Sequence, residues 1–314
     1  MQTFSIAIHG GAGTILRSEI TPEQEIAYLA SLKQALDSGY QILETGGTAL
    51  DAVKAAVVVL ENDLLFNAGR GSVFTKNGTH EMDASIMDGK TLAAGAVAAV
   101  QHIRNPVLLA EAVMKNSPHV FLTGAGAAEF AKQQGIAEAP GEYFFSQFRY
   151  NQWQQMKETD GYALDHSTSE ALQKEKKFGT VGAVACDVHG NIAAATSTGG
   201  MTNKSFGRIG DTPIIGAGTF ADNKTCAISC TGHGEPFIRA VAAHAVSCLI
   251  EYKGLDLKEA MQEIVHKKLV DMEGEGGMIG VDAAGNISMQ FNSEGMYRAM
   301  KSSTGEFSVN IYKD

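Results

Sequence analysis

The sequence predicts an α+β protein in which helices cover mainly antiparallel sheets. Helical and hairpin patterns occur in both halves of the 314-residue chain, without the regular strand–helix alternation that is typical of a doubly wound parallel sheet. Hydrophobic residues make up 44% of the chain and charged residues 19%, which fits a well-packed globular protein. We therefore expect one large core or two modest ones, with helices on the outer faces of the sheets.

The first half of the chain begins with a strand and two helices. Residues 3–9 alternate apolar and polar side chains, which predicts a strand that ends at a glycine-rich run. Thr21, which is followed by a proline, and Thr48 are suitable helix N-caps. The two helices are expected to end near Gly46 and Asn62.

Short strands and two further helices follow. The dipeptides at 77–78 and 88–89 are Asn-Gly and Asp-Gly, which are typical of hairpin turns. Two or three antiparallel strands are therefore expected within residues 72–100. A helix is predicted to begin at Asn105, which precedes a proline, and residues 129–134 fit part of another helix.

A polar and charged segment, residues 152–177, separates the two halves and is predicted to be a mobile linker. Two hairpins and two helices are expected beyond it. The predicted elements are strands at 180–186 and 192–198, helices at 236–252 and 257–269, and strands at 278–282 and 286–291.

Charge and cysteine content disfavour several classes of partner. The formal net charge is −10, whereas nucleic acids and anionic membranes both favour a basic surface. No apolar run is long enough to span a bilayer, and the N-terminus lacks the basic region of a signal peptide. The four cysteines form no CxxC pair, so free thiols are expected. These features predict a soluble cytoplasmic protein.

Four short motifs resemble known site signatures but are incomplete. His80 begins an HExxH-like run in which Ala84 replaces the second zinc-binding histidine. Residues 89–91 lack the upstream glycine of a phosphate-binding loop, and Glu129 replaces the third glycine of a dinucleotide-binding fingerprint. His9 begins an HGG run like that of lipase oxyanion loops, but the chain has no GxSxG nucleophile motif. None of these four functions is expected.

Five segments carry the strongest functional signal. They read FNAG at 66–69, GTVGAV at 179–184, TSTGGMTNK at 196–204, GRIGDTP at 207–213 and TGHGE at 231–235. In this order and spacing they resemble the plant-type (type III) asparaginases, also called isoaspartyl peptidases. The resemblance extends from His9 to Arg298, which is nearly the whole chain.

The resemblance implies a four-layer αββα fold, that of the N-terminal-nucleophile hydrolases. It also implies an inactive precursor that cleaves itself into an α subunit, residues 1–179, and a β subunit, residues 180–314. The two subunits are expected to remain together as one folded domain, and two cleaved αβ units to form a dimer.

Thr180 is the predicted nucleophile. A threonine hydroxyl within a chain is a poor nucleophile, but a free N-terminal threonine carries its own base, because an α-amino group has a pKa of ~8. Gly179 has no Cβ, so its carbonyl is open to attack by the Thr180 hydroxyl, and hydrolysis of the resulting ester releases the amine. For Thr180 considered alone, an ordinary strand threonine is the alternative.

Residue chemistry and the resemblance together suggest how a substrate is held. Arg208 suits an α-carboxylate and Asp211 suits an α-ammonium group, although a surface ion pair is the alternative for such a pair in isolation. The Thr231 hydroxyl and the Gly232 N–H, at a strand end, suit a developing oxyanion. Thr198 matches the family threonine that orients the nucleophile, and a sheet hydroxyl is its alternative.

Other expected pocket residues follow from the resemblance alone. The substrate pocket would also include Asn67, Ile209, Gly210, His233 and Gly234, of which His233 has no expected catalytic role. A structural sodium ion is implied as well, and catalysis would need no cofactor. The sodium would be held by backbone carbonyls of Leu60, Glu61, Asp63, Phe66, Ala68 and Arg70, although an ordinary loop is the alternative because carbonyl ligation leaves little side-chain signature.

The resulting hypothesis is an autoprocessing isoaspartyl dipeptidase that also hydrolyses L-asparagine to aspartate and ammonia, through a β-aspartyl ester on the threonine. Small-molecule substrates, and neither nucleic acid nor membrane, are the expected partners. Glycosylasparaginase, which has the same fold, is the nearest alternative, and a threonine aspartase is less favoured because no long insertion is evident. A non-catalytic amino-acid-binding protein that keeps Arg208 and Asp211 is the alternative from another class.

Overall fold

Two stacked β-sheets form the centre of the structure, a computed structural model that describes residues 3–158 and 179–313. The strands are β1 (Ser5–Gly13), β2 (Met82–Asp88), β3 (Ala94–Val100), β4 (Phe121–Thr123), β5 (Val181–Cys186), β6 (Ile192–Thr198), β7 (Thr219–Ala221), β8 (Ala227–Gly232), β9 (Gly276–Val281), β10 (Ile287–Phe291), β11 (Gly295–Ser302) and β12 (Phe307–Tyr312). The helices are α1 (Pro22–Glu44), α2 (Ala49–Glu61), α3 (Pro106–Asn116), α4 (Gly124–Gln133), α5 (Gln147–Glu158), α6 (Gly234–Ala240), α7 (Ala242–Lys253), α8 (Leu257–Glu263) and α9 (Leu269–Asp271), with a π-helical turn, Ile264–Lys268, before α9.

The order of the strands places the first strand in the interior of the larger sheet. Within the described residues this sheet has the order β12-β11-β1-β5-β6-β2-β3-β4, and its pairs are antiparallel except β3–β4. The smaller sheet is antiparallel, with the order β10-β9-β8-β7. Strands from both sides of the 179–180 bond therefore alternate in the larger sheet.

Helices cover the outer face of each sheet. The helices α1, α2 and α3 pack on the larger sheet, where Leu36 and Val57 are buried. On the smaller sheet, α7 and α8 share a core with Phe237 of α6. Val184 and Ile279 lie in a third core, between the two sheets. This αββα order confirms the predicted four-layer sandwich.

The predicted helix starts are confirmed. Thr21 and Gln24 form a reciprocal capping box, with the Gln24 N–H donating to Thr21 Oγ1 at 3.2 Å. The Asp51 N–H donates to Thr48 Oγ1 at 3.1 Å. Caps of this kind satisfy backbone donors that the first helical turn leaves free.

No helix of the described residues has the length and apolar character needed to cross a membrane.

Some predicted boundaries were wrong. The first strand does not end before the glycines but continues to Gly13, which pairs with Gly295 of β11. The predicted helix over residues 236–252 is interrupted at Val241, whose φ is +50°. Residues 152–158, predicted to be the start of the linker, belong to α5, where Trp153 is buried. The rest of that predicted linker, residues 159–177, lies outside the described residues.

Candidate active site

Thr180 lies immediately before β5, a strand in the middle of the larger sheet. Its side chain is buried, and its hydroxyl donates to Thr198 Oγ1 at 3.0 Å. Thr198 is the last residue of β6, which pairs with β5, and its oxygen also accepts from the Gly200 N–H at 3.0 Å. The antiparallel hairpin therefore brings the start of one strand and the end of the next together, and Thr198 fixes the orientation of the Thr180 hydroxyl.

Asn67 borders the Gly179–Thr180 bond. A Cβ at Gly179 would lie 2.6 Å from Asn67 Cβ, so only glycine fits there. The Asn67 side chain donates to Gly200 O at 2.7 Å and accepts from the Val73 N–H at 3.0 Å. Both ends of the buried amide are thus satisfied, which holds the loop after α2 against the turn after β6.

Thr231 and Gly232 lie at the end of β8, in the smaller sheet. The Thr231 hydroxyl is buried and accepts from the Ala12 N–H at 3.3 Å, which connects it to the glycine-rich end of β1. Gly232 has a φ of +148°, and a Cβ there would lie 2.4 Å from Glu275 O. Close backbone approach therefore explains the glycine at this strand end.

Arg208 makes a bidentate ion pair with Glu235. Its Nε donates to Glu235 Oε1 at 2.9 Å, and its Nη2 donates to Glu235 Oε2 at 2.8 Å. His233 Nε2 lies 3.1 Å from the same Oε2. Burial raises the pKa of Glu235, but hydrogen bonds from His233 and Arg208 outweigh burial and hold this pKa well below its usual range. Glu235 belongs to the TGHGE segment, but no pattern in the sequence marks it as the partner of Arg208.

Asp211 is a buried carboxyl group beside Arg208. Burial raises its pKa to about 7, and its Oδ2 has no hydrogen-bond partner among the described residues. A Cβ at Gly234 would lie 3.0 Å from both Arg208 Nη2 and Asp211 Oδ1. Both side chains therefore lie against Gly234, where a larger residue would contact them. A Cβ at Gly210 would lie 3.1 Å from Arg208 Nη1, and Ile209 is half-buried. The predicted cation and anion are therefore neighbours.

Several carbonyl oxygens of the loop predicted to hold an ion lie close to its glycines. A Cβ at Gly71 would lie 2.1 Å from Phe66 O and 2.9 Å from Asp63 O, while a Cβ at Gly69 would lie 2.4 Å from Glu61 O. Oxygen ligands of this kind suit a hard cation. Within residues 3–158 and 179–313, no group of three or more His, Cys, Asp or Glu side chains forms a metal site.

Comparisons with known proteins define the class of this protein. The family model described as asparaginase matches residues 1–311, so the chain belongs to this family. It is 51% identical over 309 residues to the isoaspartyl peptidase of Salmonella typhimurium, covering 98% of each chain. It is 50% identical to the isoaspartyl peptidase of Escherichia coli, over 98% of this chain and 96% of the relative. The isoaspartyl peptidase/L-asparaginase of Homo sapiens is 43% identical, over 93% of this chain and 91% of the relative.

Proposed function

We propose that this chain is an autoprocessing hydrolase that cleaves β-aspartyl dipeptides and releases aspartate and ammonia from L-asparagine. The observation that carries the proposal is the oriented Thr180 hydroxyl, buried beside a glycine at the bond to be cut. The names of the relatives favour these substrates over glycosylated asparagine. They also disfavour a non-catalytic amino-acid sensor.

The first proposed reaction is cleavage of the chain itself. Thr180 Oγ attacks the Gly179 carbonyl, the C–N bond breaks, and the acyl group moves to the oxygen as an ester. Water then hydrolyses this ester, which leaves residues 1–179 and a second fragment, residues 180–314, with a free α-amino group. That group is the base for the next reaction, because an α-amino group with a pKa of ~8 is substantially neutral near pH 8.

The second proposed reaction uses the same oxygen on a bound substrate. Arg208 holds the α-carboxylate and Asp211 holds the α-ammonium, which places the β-carbonyl before Thr180. The Thr180 amine takes the hydroxyl proton and returns it to the leaving amine or ammonia. A β-aspartyl ester forms on Thr180, and water hydrolyses it.

The negative charge that develops on the carbonyl oxygen during the attack must be stabilised by hydrogen-bond donors. The Thr231 hydroxyl and the Gly232 N–H are proposed to stabilise the oxyanion, and one such donor contributes about 3 kcal/mol in comparable enzymes. Asn67 would hold the loop at the cleavage bond. The remaining pocket lining is proposed to be Ile209, Gly210, His233 and Gly234, with His233 acting on Glu235 rather than on the substrate.

Three further features are proposed: a bound ion, a dimer and a cellular location. The carbonyls of the six loop residues named above would hold a structural sodium ion, which would stabilise the loop that carries Asn67. Two processed units would form a dimer, with no nucleic acid or membrane partner. The four cysteines, all within the described residues, are free thiols, which supports a cytoplasmic location.

The proposal is tested with wild type, Thr180→Ala and Thr180→Ser assayed on β-aspartyl-leucine, L-asparagine and a glycosylated asparagine. Wild type is expected to split before Thr180 and to hydrolyse the first two substrates. Thr180→Ala should stay whole and inactive, while Thr180→Ser, which keeps a hydroxyl, should cleave and retain part of the activity. Equal turnover by wild type and Thr180→Ala would remove Thr180 from the mechanism, and preference for the glycosylated substrate would favour glycosylasparaginase.

A further inference from the structure

A buried histidine contacts the backbone of the proposed nucleophile. His9, in β1, is fully buried, and its Nδ1 is 3.0 Å from the backbone oxygen of Thr180. Its Nε2 is 2.8 Å from Ser229 Oγ, in the smaller sheet. The proposed function assigns no role to His9 or to the HGG run that it begins.

The two contacts determine where the ring proton lies. A carbonyl oxygen can only accept, so Nδ1 must carry the proton and donate it to Thr180 O. Complete burial lowers the pKa of His9 to about 3, so the ring is neutral and Nε2 carries no proton. Nε2 is then an acceptor, and Ser229 Oγ donates to it.

A chain of buried hydroxyl groups continues from Ser229 across both sheets. Ser229 Oγ is 2.7 Å from Thr196 Oγ1, which is 2.6 Å from Thr219 Oγ1, which is 2.7 Å from Ser85 Oγ. Each hydroxyl has a single proton, so once Ser229 donates to His9, Thr196 donates to Ser229 and Thr219 donates to Thr196. This direction of donation follows from the Nδ1–H form of His9, and it is compatible with Ser85, whose hydroxyl donates to the carbonyl oxygen of Thr212 at 2.6 Å.

The sequence beside Thr180 leaves room for this arrangement. A Cβ at Gly182 would lie 2.5 Å from His9 Nε2 and 2.0 Å from Ser229 Oγ. Glycine at this position is therefore required for the histidine and serine to meet. In the GTVGAV segment, the second glycine accommodates this contact, and the first borders the cleavage bond.

We propose that His9 is a positioning residue for the reaction, holding the peptide plane of Thr180 through its Nδ1–H. Thr180 precedes the first residue of β5, and the paired register of β1 with β5 ends at His9 and Gly182. Once the bond to Gly179 is cut, the preceding chain no longer restrains the amino group of Thr180. The hydrogen bond from His9 then restrains the residue whose amine and hydroxyl must both reach the substrate.

A matched pair of substitutions tests this role. In His9→Asn the amide nitrogen takes the place of Nδ1 and can still donate to Thr180 O, whereas in His9→Gln the amide nitrogen takes the place of Nε2 and cannot. Rates are measured on β-aspartyl-leucine and divided by the processed fraction on a denaturing gel. We expect His9→Gln to lower kcat at least about tenfold with KM nearly unchanged, and His9→Asn to restore most of kcat. Equal kcat in the two variants, or a loss confined to KM, would overturn the role.

A second measurement uses the wild-type protein and needs no variant to fold. Nitrogen NMR of the ring, with histidine labelled, should give a protonated Nδ1 and an unprotonated Nε2 at neutral pH. A ring protonated on Nε2, or on both nitrogens, would overturn the inference. The role of His9 rests on the proposed function: wild type that neither splits nor hydrolyses would overturn both, whereas active wild type with an equally active His9→Gln overturns the role of His9 alone.

Discussion

Asp211 is a buried carboxyl group whose proposed partner is a cation. Its pKa is raised from 3.8 to about 7. Because the folded-state pKa is the higher one, the folded chain binds an extra proton between these values, and the stability that Asp211 contributes falls as the pH rises through this window. Above pH 7 the carboxylate is charged and available for an α-ammonium group.

Aspartate binding should therefore tighten as the pH rises from 6 to 8. We expect the inhibition constant of L-aspartate to fall about tenfold over this range, since the ionised fraction of Asp211 rises by about that factor. The Asp211→Asn variant should bind aspartate weakly and show little of this pH dependence. An inhibition constant that changes with pH equally in both proteins would show that Asp211 is not the titrating group.

Phe206 is an exposed aromatic residue in a strained conformation, two residues before Arg208. Its exposed fraction is 97%, and its φ is +56°, next to Gly207 with a φ of +67°. The Arg208 N–H donates to Ser205 O at 2.9 Å and closes this turn. Asn tolerates positive φ better than Phe does, so Phe206→Asn should raise the free energy of unfolding by about 1 kcal/mol.

Urea unfolding compares Phe206→Asn with Phe206→Leu as a matched control. A positive φ is as unfavourable for leucine as for phenylalanine, so the free energy of unfolding of Phe206→Leu should stay close to that of wild type. If Phe206→Asn is no more stable than Phe206→Leu, the left-handed turn does not strain the chain.

Residues with a distinctive chemistry could be recognised from the sequence, but their partners could not. Thr180, Arg208 and Asp211 were identified from motifs, and the structure places Arg208 and Asp211 together. The pairing of Arg208 with Glu235 depends on how a loop meets the start of α6, 27 residues away along the chain. The contact of His9 with Ser229 requires two sheets to stack, a relation that no local pattern encodes.

At the scale of elements, Gly39 allows α1 and α2 to pack closely. A Cβ at Gly39 would lie 2.8 Å from Ala52 O and 2.3 Å from Ile6 Cδ1. In an exposed helix, Gly→Ala normally stabilises by about 0.5–1 kcal/mol. Here the backbone oxygen cannot move without separating the helices, so Gly39→Ala should destabilise by about 1–3 kcal/mol.

Gly126, in α4, is the matched control. Apart from the neighbouring backbone of α4 itself, no atom of the described residues lies within 4 Å of the position that a Cβ would take there, so Gly126→Ala should be stabilising. The free energies of unfolding of both variants are compared with wild type. Effects of the same sign at the two glycines would contradict the account of helix packing.

Elements with strong local signals were predictable, and those fixed by tertiary contacts were not. The caps at Thr21 and Thr48 and the hairpin of β5 and β6 have clear sequence signatures. The strands β11 and β12 were not predicted, since β12 alternates weakly at the edge of the sheet. The start of the predicted linker was wrong because Trp153 anchors a segment whose average composition is polar.

At the scale of the whole molecule, the two sides of the proposed cleavage point are interleaved. Residues before Gly179 supply β1 to β4, whereas residues after it supply β5 and β6 in the middle of the larger sheet and β11 and β12 at one edge. Strand β1 therefore lies between β11 and β5. Separation of the fragments would break three antiparallel pairings, β11–β1, β1–β5 and β6–β2, and expose buried residues such as Ile6 and Ile8.

The processed protein should thus behave as one unit in native solution. Gel filtration should give a single peak that contains both fragments, and only guanidinium should separate them. A precursor control, Thr180→Ala, should elute at the same position. Elution of either fragment alone in native buffer would show that the strand order does not hold the halves together.

The layered class was predictable from hydrophobic periodicity, but the order of the layers followed only from the family resemblance. Local patterns show where strands and helices form, and pairing partners such as β1 and β11 lie about 290 residues apart in sequence. Side-chain spacing carries little information on contacts of that separation.

The central claim is that Thr180 becomes a nucleophile when its amine is released, and one time course tests it most directly. Fresh precursor is sampled for the fraction of chains that begin at Thr180, by N-terminal sequencing and intact mass, and for the rate of β-aspartyl-leucine hydrolysis. The account predicts that the rate rises from near zero in proportion to that fraction. Full activity in the uncut chain, or an N-terminus other than Thr180 in the active protein, would contradict it.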